Sequence, residues 1–209
     1  MNDPLLPDAQ SLVRLHDEAN ARWHRAEAAG DEASPTGSIE ANLLAQHRAN
    51  FDLWHEEDEA RDPLAPDARI AEVKRAIDRY NQMRNDLVEA IDALLVERLR
   101  QAEDAPLHSE TPGMIVDRLS IMALKIYHTR EETLRASASE EHRAKNRRRL
   151  ATLEEQRSDL AGCLDALLLA IRRGEKRFKI YRQMKMYNDP ELNPVVYRGV
   201  AETHGSSRG

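Results

Sequence analysis

Ionisable side chains recur in this sequence at positions that a helix would turn inward. One set at helical spacing reads Leu43, His47, Phe51, Trp54, Asp58 and Arg61. A helix turns about 100° per residue, so residues spaced i, i+4, i+7 and i+11 share a face. Leu43, Phe51 and Trp54 mark that face as the core side. His47, Asp58 and Arg61 lie among them, and Asn50 and His55 flank them. A second stripe, Ile77, Val88 and Leu95, contains Arg84, with Asn81 beside it and Lys74, Asn85 and Asp92 on one shoulder. A third segment is apolar on two sides. Ile115, Leu119, Met122 and Ile126 make one face, and Asp117, Ile121, Leu124 and His128 make the other. Such a helix is expected to be central, which brings Asp117 and His128 inside. Burying these groups is costly unless each is paired. Proteins tend to break such local rules at functional sites.

The chemistry these residues offer is anion recognition with proton transfer. Arg61, Lys74 and Arg84, with Arg118 and Lys125, predict a ligand bearing phosphate or carboxylate, because Arg grips such groups bidentately and Lys adds a point charge. Trp54 and Asn81 complete the expected lining. His47 and His128 are the candidates to move a proton near neutral pH, oriented by Asp58 or Asp117. No nucleophile is specified, and Cys163 is expected to be a small core residue. A protein-ligated metal is not expected. Glu-x-x-His is missing from the helices concerned, and so is His-Glu-x-x-His. No Gly-rich phosphate loop or dinucleotide fingerprint occurs, so no cofactor is predicted. The alternative for any one of these residues is a rim salt bridge or a cap.

The elements that must position these groups are all helical. The sequence predicts a single-domain bundle of five to six helices with one long central helix. Asp8 caps a first helix to about Ala29, and Ser34-Pro35-Thr36-Gly37 lies in a loop. Ser38 caps a second helix that ends before Asp62-Pro63. Asp67 caps a long third helix, about Ala68 to Ala102. A fourth runs from about Met114 to Arg135, and Ser139 caps a fifth. Gly174 interrupts that fifth helix, a short sixth continues to Tyr187, and Asn188-Asp189-Pro190 is a turn. The organisation read from this is an N-terminal helix and loop over residues 1–37, a bundle core over 38–197 and a flexible tail over 198–209.

Composition narrows the function classes. Of 209 residues, 31 are Lys or Arg and 37 are Asp or Glu, which gives a net charge of −6. That balance argues against a nucleic-acid partner. The single Cys rules out a disulfide framework. No apolar run approaches the roughly 20 residues of a membrane helix, and the acidic start is unlike a signal peptide. The expectation is a cytoplasmic protein with no membrane insertion. The expected partner is an anionic small molecule. A homodimer through an extra apolar face is one option.

Several segments together carry a resemblance. They are Asn50-Phe51-Asp52-Leu53-Trp54-His55-Glu56-Glu57-Asp58-Glu59-Ala60-Arg61, Ile77 to Asp86, Pro112 to Ile121, Leu124-Lys125-Ile126-Tyr127-His128, and Tyr181 to Pro190 with Asn193-Pro194. In this order they resemble the bacterial domain-of-unknown-function family 4254, from about Ser38 to Tyr197. The resemblance implies an association with glycosyltransferase and surface-glycan loci, hence sugar or glycoconjugate metabolism, without a mechanism. Its motif positions coincide with Trp54, Asp58, Arg61, Asn81, Arg84, Asp117 and His128. It adds Tyr187, Asn188 and Asp189 as candidates to line or close the pocket. Two readings stay open: an enzyme using acid–base or group-transfer chemistry, and a non-catalytic accessory protein for a glycan-assembly enzyme.

Overall fold

The computed structural model describes residues 6–25, 38–182 and 192–193. Five helices occur among them: α1 (Ala9–Trp23), α2 (Ile39–Glu59), α3 (Asp67–Arg98), α4 (Pro112–Leu134) and α5 (Glu140–Arg172). No strand forms among the described residues, so the chain is an all-α bundle. No described helix is long and apolar enough to cross a membrane.

Four of the five helices start on the residue chemistry that satisfies their free N–H groups. Asp8, Ser38, Thr111 and Ser139 each accept from the backbone N–H three residues on. The third helix differs from expectation. Its N-cap is Pro66, which makes no side-chain cap, and Asp67 is its first helical residue. It also stops at Arg98, short of Ala102, because Leu99 turns extended and buries its side chain.

The sixth helix does not form within the described residues. Gly174 takes φ 72°, the left-handed turn that Gly adopts without steric cost. The Glu175 N–H then closes on the Ala170 carbonyl at 2.8 Å. Beyond it the chain runs extended, and Arg177 lies parallel to Leu107 in an isolated bridge. Phe178 is pinned there, its N–H donating to Gln101 Oε1 at 2.7 Å and its ring in the core.

The helix in the middle and the longest helices are different elements. α4, with 23 residues, packs against each of the other four, as its two apolar faces require. The longest are α3 with 32 residues and α5 with 33. The main core joins Leu12, Leu43, Ile91, Leu95, Ile115, Leu119, Leu164 and Ile171 at one end of the bundle. A smaller cluster of Ala19, Trp23, Phe51 and Leu124 lies towards the other end. Cys163 is exposed rather than buried, because the inward turn of α5 is taken by Leu160, Leu164 and Leu167.

Candidate functional site

The stripe on α2 climbs from the core to the surface. Leu43, His47 and Phe51 are buried, Trp54 is half-buried, and Asp58 and Arg61 are exposed. A single helical face thus runs from a buried network to the mouth of a cleft.

The buried part is a directed chain of hydrogen bonds between α2 and α4. Asn50 Nδ2 donates to Asp117 Oδ1 at 2.9 Å and to Ser120 Oγ at 2.9 Å. Gln46 Nε2 donates to the same Asp117 oxygen at 2.6 Å. His47 Nε2 sits 3.1 Å from the His16 carbonyl, which can only accept, so this nitrogen carries the ring proton. Nδ1 of His47 must then accept the Ser120 hydroxyl proton at 2.7 Å. Both nitrogens are used, and the ring is 0% exposed. Burial pushes its pKa down to about 3, so it is neutral at physiological pH. His47 therefore has no free nitrogen with which to meet a ligand.

Asp117 ties this network to α3. Arg84 Nε lies 3.8 Å from Asp117 Oδ1, as an ion pair too long for a good hydrogen bond. The same Nε is buried without a hydrogen-bond partner. Burial raises the Asp117 pKa, opposed by Arg84, Asn50 and Gln46.

Above the network is a cleft of about 360 Å³, lined by Asn50, Trp54, Glu57, Asp58, Arg61 and Arg84 among others. Its charge is mixed. Arg61 pairs with Glu57 at 2.9 Å. The expected locally basic site is thus offset by two carboxylates. Trp54 also walls a second cavity of about 340 Å³ with Lys125, His128, Asn146 and Arg149. The Trp54 and His128 rings stack 5.1 Å apart, only 7° from parallel.

Four predicted residues therefore share the first cleft: Trp54, Asp58, Arg61 and Arg84. Asp117 lies beneath it, and Lys125 and His128 lie across Trp54 from it. Asn81 is half-buried on α3. Two of the predicted residues are elsewhere. Lys74 is exposed and binds Asp78 at 2.7 Å on its own helix. Arg118 pairs with Glu110 at 2.7 Å and lines a third cavity, of about 570 Å³, together with Cys163. Tyr187, Asn188 and Asp189 lie outside the described residues.

Polar residues that the sequence analysis did not single out crowd the same region. His16 and Asn20 of α1 are 0% exposed, and neither side chain finds a hydrogen-bond partner. His16 stacks on His47 with ring centroids 4.4 Å apart. Burial first, then His47 and Arg157, holds the His16 pKa well below its ordinary value. The signal for these two was present. Leu12, His16, Asn20 and Trp23 follow the same i, i+4, i+8, i+11 pattern that exposed His47 on α2.

The matches to known proteins are few. No curated protein and no solved structure matches this chain. One family model does, over residues 40–180, which takes in α2 to α5 and every residue of the first cleft. On that match the chain belongs to the family described as Protein of unknown function (DUF4254).

Proposed function

We propose that the cleft between α2, α3 and α4 binds a small anionic molecule bearing phosphate or carboxylate, and that the protein is an enzyme of acid–base or group-transfer type. The observation that carries this reading is Arg84. Its guanidinium is half-buried in a cleft wall, its Nε lacks a hydrogen-bond partner, and its nearest carboxylate, Asp117, is already engaged by two amides. A buried cationic donor left in that state costs free energy unless an anion completes it. Arg61 would swing from Glu57 to close on the ligand. The Trp54 face would support a sugar or base ring. Asp58 lines the cleft as an exposed carboxylate that would move a proton. The resemblance to proteins of glycan loci makes sugar phosphates and nucleotide sugars of a cytoplasmic biosynthetic step the first compounds to try.

The accessory reading has one observation in its favour. The chain from Asp117 through Asn50 and Ser120 to His47 ends on a backbone carbonyl and is closed without any ligand. Titration calorimetry with inorganic phosphate, then with a sugar-phosphate and nucleotide-sugar panel, separates the two. The expected result is binding by the wild type that weakens at least about tenfold in Arg84→Gln, the loss of one charge-assisted pair. Absence of binding by the folded wild type across the panel would overturn the enzyme reading and leave the accessory one.

A further inference from the structure

His24, His55 and His128 come from three different elements: the C-cap of α1, the last turns of α2 and the second half of α4. One ring nitrogen from each lies within 4.8 Å of those of the other two. A point equidistant from three atoms at that limit lies about 2.8 Å from each, against a zinc–imidazole bond of about 2.0–2.1 Å. Each ring would have to move by less than roughly 1 Å.

The hydrogen bonds around the rings decide which nitrogen is available. His24 Nδ1 lies 2.8 Å from the Asn20 carbonyl, and His55 Nδ1 lies 2.8 Å from the Phe51 carbonyl. A carbonyl only accepts, so both Nδ1 atoms carry the proton and both Nε2 atoms carry the lone pair. His128 Nδ1 faces the Glu131 carboxylate at 3.1 Å, which fixes the same tautomer. Nε2 of His24 and Nε2 of His128 are both buried without a partner. Imidazoles whose Nδ1–H is held by a carbonyl or carboxylate, which leaves the Nε2 lone pair for the ion, are the arrangement by which proteins orient metal-binding histidines. Stacking fixes the rings further. His24 lies on Tyr127 at 4.0 Å and His128 on Trp54 at 5.1 Å.

The helical register explains why the three meet. His16, His47 and Ser120 stand together at one level of α1, α2 and α4. Eight residues further along each chain come His24, His55 and His128, about 12 Å higher at 1.5 Å per residue. The three segments therefore run parallel and in step. At the lower level His47 uses both of its ring nitrogens, whereas at the upper level Nε2 of His24 and Nε2 of His128 stay open.

We infer that His24, His55 and His128 form a site for a divalent first-row transition ion, with zinc as the first candidate. Three neutral imidazoles suit zinc, nickel or copper better than calcium or magnesium, which prefer oxygen. Three protein ligands leave a fourth position for water or for a group from the cavity that His128 lines. The ion would also fasten the end of α1 to α2 and α4. This inference does not rest on the anion cleft, because Arg84 belongs to neither the trio nor its hydrogen bonds.

The test uses the full chain, stripped with chelator and then titrated with zinc against a chromophoric competitor, and with cobalt for its absorption spectrum. The expected result is one ion per chain, with the intense visible bands of four-coordinate cobalt. His55→Gln is expected to weaken zinc by at least about 100-fold, beyond the 10–100-fold typical of losing a supporting partner. His142→Gln, at a histidine on α5 outside the trio, is expected to leave affinity unchanged. Thermal melts without metal check that the variants fold. Failure of the folded wild type to bind zinc or cobalt would overturn the inference. So would one-to-one binding that survives His55→Gln or falls equally in His142→Gln. Zinc binding retained in Arg84→Gln, with phosphate binding lost, would show the two sites failing separately.

Discussion

The two ends of the bundle are built from opposite materials. One end packs Leu12, Leu43, Leu95, Ile115, Leu119, Leu164 and Ile171 from all five helices into a single aliphatic cluster. Towards the other end, α1, α2 and α4 bury His16, Asn20, His47, Asn50 and Ser120. Aliphatic packing is non-directional, so that end tolerates rearrangement as long as volume is kept. The polar end is directional, because the hydrogen bonds of His47, Asn50 and Ser120 each fix a donor on a particular acceptor. The same three helices therefore hold the fold together at one end and define a geometry at the other. Both the cleft and the histidine trio lie on the polar side of this divide.

The contrast has an electrical form that pH exposes. His47 has its pKa lowered to about 3 by burial, and His16 is lowered as well. For His47 the unfolded chain binds more protons between pH 6.5 and pH 3, and for His16 the sense is the same. The His47 stabilisation is thus complete above pH 6.5 and is lost as pH falls towards 3. For His47 alone the loss is about 5 kcal/mol at most, at about 1.4 kcal/mol for each pH unit between 6.5 and 3. His47→Gln keeps a donor and an acceptor but cannot be protonated. Urea unfolding at a series of pH values is expected to show the wild type losing its advantage over this variant on acidification. Parallel curves from pH 7 to pH 4 would mean that the polar end is not held by neutral histidine.

How much of this contrast could be read in the sequence depends on its physical origin. The helices were legible because capping residues and apolar periodicity are local. So were Asp58, Arg61 and Arg84, each a charged break in an apolar stripe on its own helix, and Trp54, which belongs to such a stripe. What converges from separate helices was not legible. His24, His55 and His128 share no sequence motif, and only the common register of α1, α2 and α4 brings them together. Lys74 and Arg118 were misplaced for a different reason. Long cationic side chains at the edge of a stripe reach a carboxylate at the surface, here Asp78 and Glu110, without entering the core. Among the described residues after Gly174 the chain is extended rather than helical, which seats Phe178 in the aliphatic end.

Asp92 is a buried carboxylate beside the aliphatic end, and it titrates in the opposite sense. Asp92 is 2% exposed, and its Oδ1 accepts the Gly113 N–H at 2.7 Å at the start of α4. Burial pushes its pKa up to about 6, against the hydrogen bonds from Thr111 and Gly113. The folded state then binds more protons between pH 3.8 and pH 6, so this contribution is complete below 3.8 and is lost as pH rises through 6. Asp92→Asn keeps an acceptor for Gly113 without the charge. It is expected to stabilise the protein by about 3 kcal/mol at most at pH 7 and to make little difference near pH 4. A variant equally destabilised at both pH values would show instead that the carboxylate is needed to hold α4. The fit there is close, since a Cβ on Gly113 would meet Asp92 Oδ1 at 2.8 Å.

The smallest effect tests whether the polar end acts as a unit. Ser120 Oγ joins His47 to Asn50 in the hydrogen-bond chain. Ser120→Ala removes one donor and one acceptor while adding no bulk, and a buried unsatisfied group costs about 1–3 kcal/mol. Asn50 keeps its bond to Asp117, so the loss is expected near the lower bound, about 1 kcal/mol by urea unfolding. The sharper measurement is its coupling to His47→Gln. If His47, Ser120 and Asn50 form one network, the double variant loses less than the two single losses together, with a coupling of about 0.5 kcal/mol or more. A Leu12→Val, Ile171→Val pair at the aliphatic end is the comparison, and non-directional packing predicts smaller coupling there. Equal coupling at both ends would remove the distinction, because directionality is what should make the polar end fail as a whole.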